Sequence, residues 1–266
     1  MNNIVFGKYI PIDSPIHKID PRAKILALFI LIAAVFVPRS WWMYLLLGVI
    51  ILSVVLISKI KLKMILKTLK PTVFMMIFLL IINCFSVNTG FVVVELFGKA
   101  IYSDAIFNTL FIVVRLLLMI MITTVLTATT KPLDLTLGIE SLLSPLKVFH
   151  FPYHEVAMMI SIALRFIPTI IEETIRIMNS QKSRGVDFEE GKLSEKINAI
   201  LSLIIPLFTV AFQRAYELAD AMEARGYVPD KDRTKYHVLK MNANDILFIC
   251  FTLFLLVLSI LSRIYL

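Results

Sequence analysis

Apolar residues along this chain gather in runs, and five of the runs read as membrane-spanning helices, each of which needs about 20 mostly apolar residues. Trp41 to Ser58 holds no charge and begins with two tryptophans, a residue that favours the headgroup level. Thr72 to Val87 is slightly short but uncharged. Ala105 to Ala128 holds one charge, Arg115, and Asn244 to Ser262 comes much later. Ala23 to Val37 is short, but it can extend toward Trp41, and Lys24 can snorkel.

Residues 131–240 follow another pattern. Leu133 to Phe149 is amphipathic, with Leu135, Leu142, Leu143 and Leu146 interrupted by Pro145, and predicts a helix lying in the membrane interface. Two longer helical stretches come next. The first runs from about Tyr153 to Gly185. It carries Ile167, Ile170, Ile171, Thr174, Ile175 and Met178 at helical spacing, with Glu172 and Arg176 as an i,i+4 pair on its other face. The second runs from about Ser194 to Gly226. Its apolar stripe is Leu207, Phe208, Ala211, Phe212, Ala215, Leu218, Ala219 and Met222, opposite Gln213, Arg214, Glu217, Asp220 and Glu223. The stripes give the helices a way to pack on each other and on a further membrane partner. Each stretch contains a proline, Pro168 or Pro206, which removes a backbone donor and predicts either a fixed kink or a hinge.

Each stretch also ends in a small residue, an arginine and a glycine: Ser183, Arg184, Gly185 in the first and Ala224, Arg225, Gly226 in the second. The two read as loose copies, with their arginines 41 residues apart. Glycine takes the left-handed position after a helix without steric cost, and arginine complements the negative helix end. An arginine at a protruding tip also suits a bidentate grip on a partner's carboxylate. The apolar halves, 156–171 and 197–212, are about 16 residues each, below the usual spanning range. Two crossings would put Arg184 outside and Arg225 inside. Matching motifs predict matching work on one side, so both helices are expected in the cytoplasm.

Composition narrows the class. The 266 residues are 59% hydrophobic and 17% charged, against roughly 45–50% and about 25% in soluble domains. That excludes an ordinary soluble enzyme domain and a disordered chain. Two cysteines, Cys84 and Cys250, make no disulfide scaffold and fit no metal spacing. The net charge of +8 is set by residues 1–71, where ten basic residues face only Asp13 and Asp20. Lys8, Lys18, Arg22 and Lys24 precede the first span, and Lys59, Lys61, Lys63, Lys67 and Lys70 follow the second. The positive-inside rule therefore places the N-terminus in the cytoplasm. Such a distribution predicts contact with anionic lipid, not nucleic acid. The leading residues show no small-residue cleavage site, so the first span is expected to be retained.

Several chemistries are missing. There is no Gly-x-x-x-x-Gly-Lys-[Ser/Thr] phosphate loop, no His-Glu-x-x-His motif and no Gly-x-Ser-x-Gly elbow. His150 and His154 are spaced i,i+4, but Pro152 lies between them. No catalytic residue, metal or cofactor is expected. Four of the five spans hold no Asp or Glu, the usual cation ligands of ion-driven carriers, and the last holds only Asp245, at its start. Arg115 is the one ionisable group near a span centre. A partner chain, a polar group such as Asn83, and an internally bonded or snorkelling side chain remain open for it. A chain without its own energy source or substrate-binding charges points to a subunit driven by something else.

These motifs together resemble the transmembrane T component (EcfT/CbiQ family) of energy-coupling factor transporters, bacterial vitamin and metal importers of the ATP-binding-cassette class. The resemblance covers essentially the whole chain. It rests on Asp-Pro-Arg-Ala-Lys at 20–24, Thr-Thr-Lys-Pro at 129–132 and Ala-Leu-Arg-Phe-Ile-Pro at 163–168. It rests further on Ser-Arg-Gly-Val-Asp-Phe at 183–188 and Ala-Met-Glu-Ala-Arg-Gly-Tyr at 221–227. It implies a non-catalytic coupling subunit joining one membrane-embedded substrate-binding S component to two cytoplasmic ATPases, which bind the ATP. It implies that Arg184 and Arg225, with Ser183, Gly185, Ala224 and Gly226, sit in grooves of the two ATPases. Motion of the helix tips would then pass to the S component, which sets the substrate.

The expected architecture is an all-α polytopic membrane protein with about five transmembrane helices, two long cytoplasmic coupling helices and an interfacial helix. Its expected parts are a four-span region 1–130, a coupling-helix region 131–240 and a C-terminal transmembrane helix 241–266. It is expected in a bacterial cell membrane. Two other classes stay in view. One is a conventional permease subunit that forms its own path. The other is a membrane-embedded lipid-modifying enzyme, for which Glu172, Glu173 and His154 form no recognised constellation.

Overall fold

A computed structural model describes residues 9–38, 40–86, 89–96, 99–145, 153–188, 192–228, 239 and 241–265. Lys8, Val87, Leu146, Phe149, His150 and Pro152, named in the sequence reading, lie outside the described residues. The chain forms eight α-helices among the described residues: α1 (Pro21–Phe36), α2 (Trp41–Ile57), α3 (Leu62–Ser86), α4 (Ser103–Thr129), α5 (Pro132–Leu143), α6 (Tyr153–Ser183), α7 (Leu193–Ala224) and α8 (Ala243–Tyr265). The all-α polytopic class holds. It divides into two compact units, one of residues 5–153 and 239–266 and one carrying 154–238.

In the first unit α4 is the central element. Leu118, Met121, Ile122, Val125 and Ala128 recur on one face of it and are buried, packed with Val35 of α1, Leu47, Ile51 and Val55 of α2 and Leu255 of α8. The recurrence at three and four residues is what lets one helix face serve three neighbours.

Among the described residues, four helices are long and apolar enough to cross a membrane: α4, α6, α7 and α8; a bent α3 makes a fifth. The set differs from the expected one. At 17 and 16 residues, α2 and α1 are about 24–26 Å long, short of a hydrocarbon core of about 30 Å. The expected extension of α1 toward Trp41 does not occur. Val37 is its C-cap, and Pro38 then follows. Helices α6 and α7 are single continuous helices of 31 and 32 residues, as expected over 153–185 and 194–226, but each is long and apolar enough to cross, where the apolar halves alone fell below the spanning range. The 50° bend of α3 separates Lys63–Lys70 from Thr72–Asn83. The sequence places a proline at 71, which has no N–H to continue the ladder.

A short antiparallel hairpin, β1 (Val92–Leu96) with β2 (Lys99–Tyr102), joins α3 to α4 and was not anticipated. The β-branched run Val92–Val94 favours extended backbone. The helix at 132–143 tightens into a 3-10 turn at Ser144 and Pro145; Ser144 keeps helical torsions (φ −51°, ψ −38°), and Pro145 has no N–H for a further helical bond. Its buried positions are Thr136, Gly138 and Glu140, not leucines. Gly138 admits close contact with α1, where an added Cβ would lie 3.0 Å from Ile25 Cδ1 and 3.3 Å from Pro21 Cβ. Helix α5 is thus packed on the first helix rather than lying free.

Three helix ends meet around Lys24, which does not snorkel. Its ammonium is buried and donates to the carbonyls of His17 (3.3 Å) and Thr129 (3.1 Å) and to Thr130 Oγ1 (3.3 Å). A cation thus caps the negative end of α4 and occupies its last carbonyl. Asp20 caps α1 through the Arg22 amide at 2.8 Å. Its own amide donates to Asp245 Oδ1 at 3.0 Å, and Asp245 Oδ2 accepts from the Asn242 amide at 2.7 Å. One buried carboxylate therefore starts α8 and fixes the start of α1.

Replacing Lys24 by Met keeps the stem length but leaves buried acceptors unmet, an expected loss of about 2–4 kcal/mol. Thermal unfolding of the protein in detergent measures it; an unchanged midpoint would mean these acceptors find other donors.

Candidate functional site

The two helices of the second unit are built alike. At 1.5 Å per residue, α6 and α7 are each about 46–48 Å long. The Lys192 amide donates to Glu195 at 2.9 Å and starts α7. Both helices run through their prolines, Pro168 and Pro206, without breaking. The carbonyls of Leu164 and Ser202 thereby lose their i+4 donors.

The C-terminal ends are the closest match between them. Gly185 has φ +87° and Gly226 has φ +72°. The Gly185 amide donates to the Lys182 carbonyl (3.0 Å) and the Val186 amide to the Gln181 carbonyl (3.1 Å). The Gly226 amide donates to Glu223 (2.8 Å) and the Tyr227 amide to Met222 (3.0 Å). Both ends are complete Schellman motifs. An added Cβ at either glycine would meet nothing within 4 Å. Glycine is needed there for its torsion, not for space. Ser183 Oγ returns to the Asn179 carbonyl at 3.1 Å.

Ser183, Arg184, Gly185, Ala224, Arg225 and Gly226 are all exposed. Among the described residues, neither Arg184 nor Arg225 makes an ion pair. Each guanidinium is held at a rigid tip with its donors turned to solvent.

The helices meet through a mixed face. Phe166 and Glu173 of α6 line a groove with Val210, Gln213, Arg214, Glu217, Leu218 and Ala221 of α7. Glu173 Oε2 lies 3.7 Å from Arg176 Nη1 and 3.9 Å from Arg214 Nη2. Two expectations are corrected. Arg176 pairs with Glu173, three residues before it, and not with Glu172. The apolar stripe of α7 is not the face that meets α6: Phe208, Ala211, Phe212, Ala215 and Ala219 are exposed. With Ile197, Leu201, Ile204, Ile205 and Tyr216 they leave an uncovered apolar row along α7.

Arg115 is placed elsewhere, in the first unit, and its partners lie inside this chain. Nη2 donates to Tyr44 Oη at 2.9 Å, whose proton is shared between the carbonyls of Pro38 (3.0 Å) and Val35 (3.3 Å). The guanidinium carbon sits 5.2 Å from the Phe36 ring centroid. Asn83 is not its partner; that amide donates to Thr109 Oγ1 at 3.0 Å. Tyr44 was missed because nothing in the local pattern links position 44 to position 115. Among the described residues, no three His, Cys, Asp or Glu side chains group as metal ligands.

The family model for the cobalt transport protein CbiQ matches residues 13–236. The chain is 42% identical over 261 residues to the energy-coupling factor transporter transmembrane protein EcfT of Lactococcus lactis subsp. cremoris, covering 98% of each. It is 43% identical over 245 residues to EcfT of Listeria innocua and 40% over 245 residues to EcfT of Bacillus subtilis, covering 92% of each chain in both cases.

Gly185→Ala and Gly226→Ala each place a Cβ in the left-handed region, at an expected cost of about 1–2 kcal/mol. Amide hydrogen exchange at Val186 and Tyr227 should accelerate roughly 5- to 30-fold. Unchanged protection would show that these amides are not held by the glycine caps.

Proposed function

The chain belongs to the EcfT/CbiQ family of transmembrane proteins of energy-coupling factor transporters, and from this premise we propose that it is the coupling subunit of such an importer. In this reading it binds two cytoplasmic ATPases through the tips of α6 and α7. It carries their ATP-driven motion to one membrane-embedded S component, for uptake of a vitamin or other micronutrient. The chain itself is a non-catalytic component, and ATP is held by the partners.

One observation carries the proposal: two helices end in the same cap and present the same unpaired arginine. Two equal tips suit two equal grooves. The Schellman cap fixes the backbone beneath each arginine, so docking on a carboxylate orders only the side chain's own rotamers. Ser183 and Ala224 beside the arginines are small and leave room for a groove wall. The uncovered row of α7 supplies apolar surface for the S component. Pro168 and Pro206 supply compliance in each helix.

The proposed topology is multi-pass in a bacterial cell membrane, with the N-terminus and both tips in the cytoplasm. Helices α6 and α7 are long and apolar enough to cross. Crossing would separate the two tips by the bilayer. It would also draw the exposed Arg165 into lipid. Both consequences favour helices that stay on the cytoplasmic side.

Arg184→Ala and Arg225→Ala are each expected to weaken ATPase attachment by about 2–5 kcal/mol, the usual cost of truncating a buried charged pair. The double substitution should lose far more, because the tips share the load. Co-purification from native membrane reads both; wild-type attachment and uptake in the double variant would sink the reading. Phe208→Ala with Phe212→Ala should instead release the small membrane partner, at about 1–2 kcal/mol or more per side chain, while the ATPases stay bound. Retention of that partner would remove the α7 row from its binding surface.

A further inference from the structure

The contact between α6 and α7 has a symmetry of its own. Glu173 and Arg214 are 41 residues apart, the same interval that separates Arg184 from Arg225 and Gly185 from Gly226. Glu173 therefore precedes its tip arginine by eleven residues, and Arg214 precedes its own by eleven. On a helix that is about 16 Å in each case. The ion pair joins equivalent positions of two copied helices, at equal distance from both tips.

We propose that Glu173 and Arg214 are positioning residues that form the pivot of the two helices and set the separation of the tips. This rests on the coupling role argued above.

The chemistry suits a pivot better than a weld. Glu173 Oε2 and Arg214 Nη2 are 3.9 Å apart, so charge holds them without a hydrogen bond that would fix an angle. The groove around the pair is open, with a volume of about 530 Å³. Few packed side chains oppose rotation there. The pair is partly exposed, with side chains 17% and 31% accessible, and such pairs add little stability. What it supplies is register. One turn to either side of Arg214 lie Val210 and Glu217. A slip in one direction leaves the Glu173 carboxylate against an apolar side chain. A slip in the other brings two carboxylates together, which repel. Arg176, on the same helix as Glu173, holds the carboxylate from its own side at 3.7 Å but cannot tie α7.

The test uses spin labels at two exposed equivalent positions, Asn179→Cys and Asp220→Cys, in the full chain with Cys84 and Cys250 changed to Ser. The distance between the labels is measured in lipid nanodiscs, and ATP-driven uptake is measured on the assembled transporter. Glu173→Arg and Arg214→Glu should each broaden the distance distribution and lower uptake by about tenfold or more. The double exchange should restore both to within about threefold of wild type. Narrow wild-type distances in both single variants, or no recovery in the double exchange, would overturn the pivot. If a charge reversal prevents folding, Glu173→Gln keeps the shape and removes the charge. A wild-type width in that variant overturns the proposal equally. The distance measurement needs no ATPase, so it stands or falls separately from the coupling role.

Discussion

The buried ammonium of Lys24 is the interaction on which the membrane unit turns. A helix end in a low-dielectric interior leaves carbonyls that water cannot reach. Lys24 meets this need at the end of α4 by spanning from α1, with His17, Thr129 and Thr130 as its acceptors. Asp245 meets the opposite need, accepting from amides at the starts of α1 and α8. Three helix termini are thereby tied at one end of the unit. The helices leave this knot in fixed relation, and the apolar faces of α1, α2, α4 and α8 then pack along their lengths. The motif residues at 20–24 and 129–130 are therefore architectural.

Arg115 follows the same rule in part: its Nη2 is met, while its Nε is buried without a hydrogen-bond partner among the described residues. No carboxylate approaches it among the described residues, and its charge rests on a tyrosine hydroxyl, two carbonyls behind that hydroxyl and an aromatic face. The first unit thus answers its internal charges largely from within. In the second unit the tip arginines and the α7 row are left open.

Much of this was legible in the sequence for a physical reason. Spans are encoded by local composition, and a helix end by a few adjacent residues. The apolar runs located α1, α2, α4 and α8 to within a few residues and α3 only over its second half, and glycine after arginine announced both caps before their torsions were known. What escaped depends on which residues meet across the chain. Position 44 shows no trace of position 115, nor position 20 of position 245. The choice between Glu172 and Glu173 turned on about 100° of helix rotation. Only the direction of α7 decides it. The hairpin at 92–102 was masked by apolar valines, whose pattern on so short a run does not separate strand from span edge. The apolar stripe of α7 was read correctly as a stripe, with α6 and a further partner both left to cover it, and α6 does not, because periodicity shows that a face is apolar and not what covers it.

The placement of that stripe bears on how the helices work. Had α6 and α7 met through it, their crossing would be a dry, interdigitated core, and such cores have one arrangement and resist rotation. They meet through a mixed face instead, in which Glu173, Arg214, Gln213 and Glu217 stand beside Phe166, Val210, Leu218 and Ala221, and the polar side chains can exchange partners and admit water. The strongest contacts either helix can make are thus reserved for other surfaces, the arginine tips and the α7 row. In the proposed coupling role, a pair of levers needs firm ends and a compliant crossing. The same exposed apolar row that makes α7 costly to leave alone in water makes a bound partner its natural complement.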